Sequence, residues 1–216
     1  MPKSLEGIRT ILIYPVAGVL LIGLIMLLIN PFVSAINTGL NNFLSSMSEV
    51  NKVILGAILA GMMSVDLGGP VNKAAYTFGT GMLAEGHYEI MAAVMIGGMV
   101  APLAIALLAT FFPKKLPKKE RQAGLLNYVM GLSFISEGAI PFASSDPLRV
   151  LVSCVIGSAV SGALSMAFNC TLMAPHGGIF VLPLIGNWPW YVVALTAGSF
   201  VAMGIMAVWK KNVWEE

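Results

Sequence analysis

Long stretches without a charged side chain dominate this sequence. Asp, Glu, Lys and Arg are absent between positions 10 and 48, between 90 and 113, and between 150 and 209. Each stretch exceeds the roughly 20 apolar residues that a helix needs to span a bilayer. A composition of 57% hydrophobic and 10% charged residues also exceeds what one soluble core of this length would bury. The sequence therefore predicts an all-α membrane protein.

The hydrophobic pattern predicts about five transmembrane helices, with two or three re-entrant or broken hairpin segments. The strongest candidates for spanning helices are 11–36, 52–65, 90–112, 150–168 and 188–208. We expect residues 1–50 to form the first transmembrane helix and an interfacial connection, and residues 51–216 to form a transport region. The predicted hairpins of this region lie near 66–84, 125–147 and 171–186.

Charge sets the expected orientation and excludes one class of partner. A net charge of +2 is too small to indicate nucleic-acid binding. The basic residues concentrate in the loop 113–121, and Lys210 lies near the end of the last apolar stretch. Both are expected in the cytoplasm, because short cytoplasmic loops of membrane proteins carry an excess of Lys and Arg. The polar start of the chain does not resemble a cleavable signal peptide, so an uncleaved helix is expected to insert it.

The first interruption of an apolar segment carries three polar side chains. Asp66, Asn72 and Lys73 surround a Gly-Gly-Pro break within 64–78. Backbone groups freed at membrane depth are costly unless protein or a wet cavity satisfies them, so such breaks often line binding sites. A carboxylate, an amide and an ammonium are together able to bind the hydroxyls of a polyol. The alternative is structural, with Asp66 capping the next helix and Lys73 reaching the interface.

The second interruption contains an isolated carboxylate. Glu137 is the only charged residue between Arg121 and Asp146. At the centre of a membrane helix a charge costs roughly 3 kcal/mol, which favours a functional role. Glu137 is thus a candidate base that takes a proton from a hydroxyl as phosphate arrives. Pairing with Lys73 or Arg149 to hold a hairpin is the structural alternative.

The third interruption places His176 between a proline and two glycines, where the backbone leaves the helix and the ring can face a cavity. An interfacial histidine with no ligand is the alternative. No partner at metal-ligand spacing accompanies it, so no metal site is predicted, and there is no nucleotide-binding loop. The other histidine, His87, lies in a polar connection and is expected at the surface.

Three motifs give the chain its resemblance to a known family: Asp66-Leu-Gly-Gly-Pro-Val-Asn-Lys-Ala-Ala-Tyr, Ile135-Ser-Glu-Gly-Ala-Ile-Pro-Phe-Ala with Asp146-Pro-Leu-Arg, and Ala174-Pro-His-Gly-Gly-Ile-Phe. In order and spacing the sequence resembles the fructose-type enzyme IIC of the bacterial phosphoenolpyruvate-dependent sugar phosphotransferase system. The resemblance implies a multi-pass permease of the bacterial inner membrane. Such a permease imports a hexose or hexitol while a IIB phosphocysteine, supplied by IIA and HPr, phosphorylates it.

The resemblance also assigns roles to residues. It implies catalytic roles for Glu137 and His176. It implies substrate-binding roles for Asp66, Asn72, Lys73, Ser136, Asp146, Arg149 and Gly177. No cofactor is implied, and the phosphocysteine belongs to another chain or domain because Cys154 and Cys170 match no IIB loop.

IIC units of this type are normally longer, so the resemblance covers their C-terminal, sugar-binding half. A homodimer or a complex with an N-terminal IIC half is therefore expected. Two other functions stay open from the residues alone. One is a proton-coupled secondary sugar transporter, because membrane carboxylates and imidazoles also relay protons. The other is a non-catalytic partner subunit of a full permease.

Overall fold

The computed structural model describes residues 12–45 and 49–212 of the 216-residue chain. These residues form two compact units, which divide between Met47 and Ser48. The first unit contains a single long helix, α1, which runs from Tyr14 to Ser45. The sequence predicted a shorter helix over 11–36, with Pro31 as a kink or an end. The helix does not end at Pro31, and it continues beyond position 36 to Ser45. A proline inside a long helix removes one hydrogen bond without necessarily stopping the helix.

The second unit is a helical bundle that carries one minimal ladder of two strands. Its long helices are α2 (Glu49–Val65), α3 (Pro70–Ala84), α4 (Tyr88–Phe111), α5 (Lys118–Leu132), α7 (Pro147–Ala167) and α8 (Trp188–Trp209), and its one short helix is α6 (Ile140–Ser145). Among residues 49–212, three 3-10 segments cover Pro113–Lys115, Ser136–Ala139 and Gly178–Leu184. The strands are β1 (Thr171–Leu172) and β2 (Ile185–Gly186), which pair antiparallel.

Within residues 12–45 and 49–212, four helices are long and apolar enough to cross a membrane. They are Tyr14–Phe32 within α1, and α4, α7 and α8. A fifth apolar helix, Asn51–Val65 within α2, is shorter. The prediction of an all-α membrane protein is confirmed. Helix α4 is the central element of the second unit, since 94% of its most apolar 18-residue stretch is buried.

Small residues allow neighbouring helices to pack closely and fix their directions. Gly56 of α2 lies against Gly162 of α7, and Gly61 lies near Val155. Rising numbers on one helix meet falling numbers on the other, so α2 and α7 are antiparallel. Such small-residue interfaces are typical of helices that associate in lipid, where close backbone approach supplies the packing energy.

Small residues also allow α8 to pack closely against α7, and their contacts give its direction. Gly157 of α7 contacts Ala202 of α8, and the hydroxyl of Ser161 donates to the carbonyl oxygen of Ala194 at 2.9 Å. Helices α7 and α8 are therefore antiparallel as well.

Three helices meet at a buried pair of hydroxyls. Ser64 of α2 and Ser158 of α7 lie 2.7 Å apart, and the Ser158 hydroxyl donates to the carbonyl oxygen of Gly97 in α4 at 2.9 Å. This small polar junction ties α2, α4 and α7 together next to the end of α2.

The basic loop and Lys210, the residue that follows α8, lie together at one end of the bundle. Lys115 Nζ donates to the Lys210 carbonyl oxygen at 2.6 Å, and Lys210 Nζ donates to Asp146 Oδ2 at 3.0 Å. Arg121 Nε donates to the Pro113 carbonyl oxygen at 2.8 Å. The segment 118–146 therefore leaves this end through α5 and returns to it through α6. Its tip lies at 133–137.

A second hairpin, formed by α2 and α3, approaches from the opposite direction. Because α2 runs antiparallel to α7, its last residue Val65 lies on the side of the bundle where Pro147 begins α7, and both line one apolar groove. The chain then turns at 66–69 and runs back through α3 into the turn before α4. With 17 residues in α2 and 15 in each of α3 and α5, these helices are about 22 to 26 Å long, which is less than the roughly 30 Å of a bilayer core.

Candidate functional site

The tips of the two hairpins and the loop after β1 enclose a cavity of about 170 Å³. Five predicted site residues line it: Asn72, Lys73, Ser136, Glu137 and His176. The remaining lining side chains are Met63, Tyr76, Phe134 and Ile135. Residues that are up to 113 positions apart in sequence, from Met63 to His176, thus share one small space.

The two charged groups of the cavity face each other across the hairpin tips. Lys73 Nζ lies 3.6 Å from Glu137 Oε1, and both side chains are about half exposed. This separation is long for a charge-assisted hydrogen bond, which is usually 2.7–2.9 Å. The pair thus leaves room for a ligand hydroxyl to bind either group. The predicted pairing of Glu137 with Lys73 is present, and it lies inside the cavity.

Asn72 connects the two hairpins and satisfies a backbone group that the helix break exposes. Its Nδ2 donates to the Met63 carbonyl oxygen at 2.6 Å and lies 3.5 Å from the Ser136 hydroxyl. Both side chains are buried. The Met63 carbonyl is one of the last in α2 and has no helical partner, so the amide replaces the hydrogen bond that the break removes.

Asp66 lies behind the cavity and stabilises the start of α3. Its carboxylate accepts hydrogen bonds from the backbone N–H groups of Val71 at 2.7 Å and Asn72 at 2.9 Å. This is the capping geometry that satisfies free N–H groups at a helix N-terminus. Asp66 therefore caps α3, as the structural alternative predicted, and does not line the cavity.

His176 reaches the cavity from a loop that is closed at its base. The pairing of Leu172 with Ile185 closes the loop, and Gly178 packs against the carbonyl oxygen of Leu132 at the end of α5. Gly177, which was also predicted as a site residue, is the next residue along the chain but does not line the cavity. The loop thus holds the imidazole against the tip of the segment 118–146.

Aromatic rings form the wall that the sequence reasoning missed. The Phe134 ring lies 5.0 Å from the His176 ring and 6.1 Å from the Tyr76 ring, measured between centroids. Tyr76 and Asn72 lie four residues apart on one face of α3, which is a signal that the sequence did contain. Phe134 adopts a left-handed conformation with φ of +62° at the tip, and no sequence pattern indicates where its ring points.

Asp146 and Arg149 are not brought to the cavity. The 3-10 segment Ser136–Ala139 and α6 separate them from it, and they lie at the charged end of the bundle. Asp146 Oδ2 lies 3.3 Å from Arg149 Nη1 and 3.0 Å from Lys210 Nζ. Burial alone would raise the pKa of Asp146, but the hydrogen bonds and charges of Lys210 and then Arg149 hold its pKa below the ordinary 3.8.

The cavity combines hydroxyl-binding groups with apolar faces. A carboxylate, an ammonium, an imidazole, an amide and a hydroxyl can each bind a hydroxyl group, while the rings of Tyr76 and Phe134 offer faces for C–H groups. No cluster of three or more His, Cys, Asp or Glu able to hold a metal occurs in the part of the chain that the structure describes. The arrangement suits a small, neutral, polyhydroxylated ligand.

Comparison with known proteins identifies the family. The sequence profile of the phosphotransferase system EIIC family matches residues 1–158. The chain belongs to this family. It is 47% identical over its whole length to the fructose permease IIC component of Bacillus amyloliquefaciens, of which it covers 71%.

Two longer relatives show where the chain fits. It is 45% identical over its whole length to the fructose-specific EIIABC component of Bacillus subtilis (strain 168), of which it covers 34%. It is 49% identical over 94% of its length to the fructose-specific EIIB'BC component of Escherichia coli (strain K12), of which it covers 37%. The chain thus spans about a third of these two relatives. No solved structure matches it significantly.

Proposed function

We propose that this chain is the sugar-binding part of a fructose-type enzyme IIC, which imports a hexose or hexitol coupled to its phosphorylation. The observation that carries the proposal is the cavity itself, in which the Lys73–Glu137 pair opens onto a space walled by aromatic rings. The names of the relatives favour fructose as the sugar. A volume of about 170 Å³ is small even among ligand pockets, which favours a single monosaccharide.

The geometry supports a base role for Glu137. Its carboxylate can accept the proton of a sugar hydroxyl while that oxygen forms a bond to phosphorus, and the bond between phosphorus and the cysteine sulfur of the donor breaks. Lys73, 3.6 Å away, offsets charge that the phosphoryl group brings. His176 binds a second hydroxyl and holds the sugar ring against Phe134.

The fold supports a site near the middle of the bilayer. We infer that α2 and α3 form a re-entrant hairpin from one side and the segment 118–146 forms one from the other, with their tips meeting at the cavity. The charged end with Lys115 and Lys210 lies in the cytoplasm of a bacterial cell, by the excess of basic residues there. The protein then acts in the inner membrane.

The partners follow from the chemistry. The phosphoryl group comes from a IIB phosphocysteine that IIA and HPr recharge, since the free cysteines of the described residues, Cys154 and Cys170, are buried. The EIIB'BC and EIIABC names of the longer relatives support IIB and IIA as partner domains. Assembly with an N-terminal IIC half or a second copy completes the permease.

Reconstitution tests the proposal. Proteoliposomes with this chain, a N-terminal IIC half and phosphorylated IIB are expected to convert labelled fructose into fructose phosphate, and an uncoupler should not slow the reaction. Fructose uptake that stops with the uncoupler and yields no phosphate ester would instead indicate a proton-coupled transporter. Phosphorylation that proceeds equally well without this chain would indicate a non-catalytic partner subunit.

A further inference from the structure

Two consecutive glycines at the tip of the α2–α3 hairpin each lie against a carboxylate. A methyl group on Gly69 would lie 2.6 Å from Asp66 Oδ2, within the same tip. A methyl group on Gly68 would lie 2.8 Å from Glu137 Oε1, 3.0 Å from its Cγ and 3.1 Å from its Cδ. Real side chains do not approach so closely, so Glu137 occupies the space that a side chain at position 68 would need.

The backbone under Glu137 is held in place. The Asp66 carboxylate caps α3 through Val71 and Asn72, and the Gly69 N–H donates to the Asp66 carbonyl oxygen at 3.2 Å. Gly68 itself has a φ of +110°, which favours glycine. The tip therefore presents a fixed, bare surface of backbone to a side chain that comes from the other hairpin.

We propose that Gly68 is a positioning residue for Glu137. It sets where the carboxylate lies relative to Lys73 and the cavity, and its lack of a side chain is the reason the two tips meet at this distance. The inference rests on the proposed function in one respect, that Glu137 binds the sugar.

A methyl group at Gly68 is expected to move the carboxylate and leave the fold unchanged. The atom nearest to the added methyl group is the end of a flexible glutamate side chain, which rotates more easily than backbone shifts. Gly86 is a matched control, because its φ of +84° is also positive and nothing lies within 4 Å of its added methyl group. Both alanine variants place a side chain at a positive φ, and only one of them meets Glu137.

The experiment measures fructose affinity by calorimetry in purified wild type, Gly68→Ala and Gly86→Ala. We expect Gly68→Ala to weaken fructose binding about tenfold, because the sugar loses one hydrogen bond to a charged group. The affinity of Gly86→Ala should equal that of wild type. In a Glu137→Ala background the side-chain atoms that the methyl group meets are absent, so Gly68→Ala should weaken binding no further. Equal losses in both backgrounds, or equal losses for Gly68→Ala and Gly86→Ala, would overturn the proposal.

A second readout needs no sugar. A carbodiimide joins a carboxylate to a neighbouring amine, so mass spectrometry of the peptides measures how much Lys73–Glu137 amide forms. Gly68→Ala should change this yield at least threefold and Gly86→Ala should not, whereas equal yields in all three proteins would overturn the role of Gly68.

A Gly68→Ala protein that melts far below Gly86→Ala would also overturn the proposed role of Gly68, because the methyl group would then disturb the fold. Wild type that gives the cross-link but binds no fructose would contradict the proposed function alone.

Discussion

Two groups of charged residues in this protein differ in how tightly they are paired. At the charged end, Lys210 and Asp146 lie 3.0 Å apart with side chains 9% and 21% exposed. In the cavity, Lys73 and Glu137 lie 3.6 Å apart with side chains 59% and 48% exposed. The Lys210–Asp146 pair is too closely paired and too buried to bind a ligand, while the Lys73–Glu137 pair is accessible to one.

The difference shows which charges stabilise the fold and which serve binding. A buried charge that loses its partner is costly, so Asp146 is expected to matter for stability. An open pair at long distance contributes little to stability, so Glu137 and Lys73 are expected to matter for the ligand. The following substitutions test that separation from the largest expected effect to the smallest.

Glu137→Gln should reduce sugar phosphorylation by about 10²- to 10⁴-fold, because the amide cannot accept the hydroxyl proton. Membrane insertion and melting temperature should stay near wild type. The measurement is formation of labelled fructose phosphate with purified phosphorylated IIB. Glu85→Gln, at an exposed glutamate, is the control and should keep full activity. Unchanged phosphorylation by Glu137→Gln would remove this residue from the base role.

Asp146→Asn should lower the free energy of unfolding by about 1–3 kcal/mol at neutral pH, because Lys210 and Arg149 lose their charged partner. Fructose affinity should not change. Thermal melting in detergent and calorimetry measure the two effects. Weaker fructose binding without a loss of stability would place Asp146 at the sugar, as its motif first indicated.

The pH dependence of this variant has a defined sign. The pKa of Asp146 is lowered in the folded protein, so its contribution to stability is complete above about pH 4, the unfolded value, and is lost as the pH falls further. The difference in melting temperature between wild type and Asp146→Asn should therefore be constant from pH 7 to about pH 5 and shrink below about pH 4. A difference that stays constant into strong acid would contradict the pairing.

His176→Ala should weaken fructose binding up to about tenfold, since it removes one hydrogen bond and the ring beside Phe134. Calorimetric titration measures the change. His87→Ala is the matched control, because His87 lies in the turn before α4 beside Glu89 and outside the cavity. Wild-type affinity in the His176→Ala protein would exclude this histidine from the site.

Asp66→Ala should cost about 1 kcal/mol of stability, the usual loss when a helix cap is removed. Asp66→Asn keeps an oxygen acceptor for the N–H groups of Val71 and Asn72 and should cost less. Thermal melting of the two variants measures this difference in stability. A large fall in fructose affinity for Asp66→Asn with unchanged melting would instead place Asp66 in direct contact with the sugar.

Much of the fold could be predicted because lipid imposes simple rules. Long uncharged stretches predict helices, and the breaks at Gly68, Gly69 and His176 were visible as polar residues beside glycine and proline. The continuation of α1 to Ser45 was not predicted, since the polar stretch after position 36 gave no sign of a helix. The start of α5 at Lys118, seven residues before the apolar segment begins, was missed for the same reason.

The site was predicted only where a polar residue indicated it. Glu137, Lys73 and His176 stand out because polar groups are rare in apolar segments. Asp146 and Arg149 stand out equally but belong to the charged end, since sequence spacing does not show how far α6 carries the chain from the cavity. Phe134 could not be distinguished from the many apolar residues around it, because the turn at the tip decides its direction.

The most direct test asks whether sugar occupies the space between the hairpin tips. Ile135 lines the cavity and has an exposed side chain, whereas the native Cys154 and Cys170 are buried. A thiol introduced by Ile135→Cys should react with a maleimide slowly when fructose is present and quickly when it is absent. Ser144→Cys, at an exposed position of α6 outside the cavity, should react at the same rate in both conditions. Equal rates for Ile135→Cys with and without saturating fructose would contradict a sugar site at the meeting point of the two hairpins.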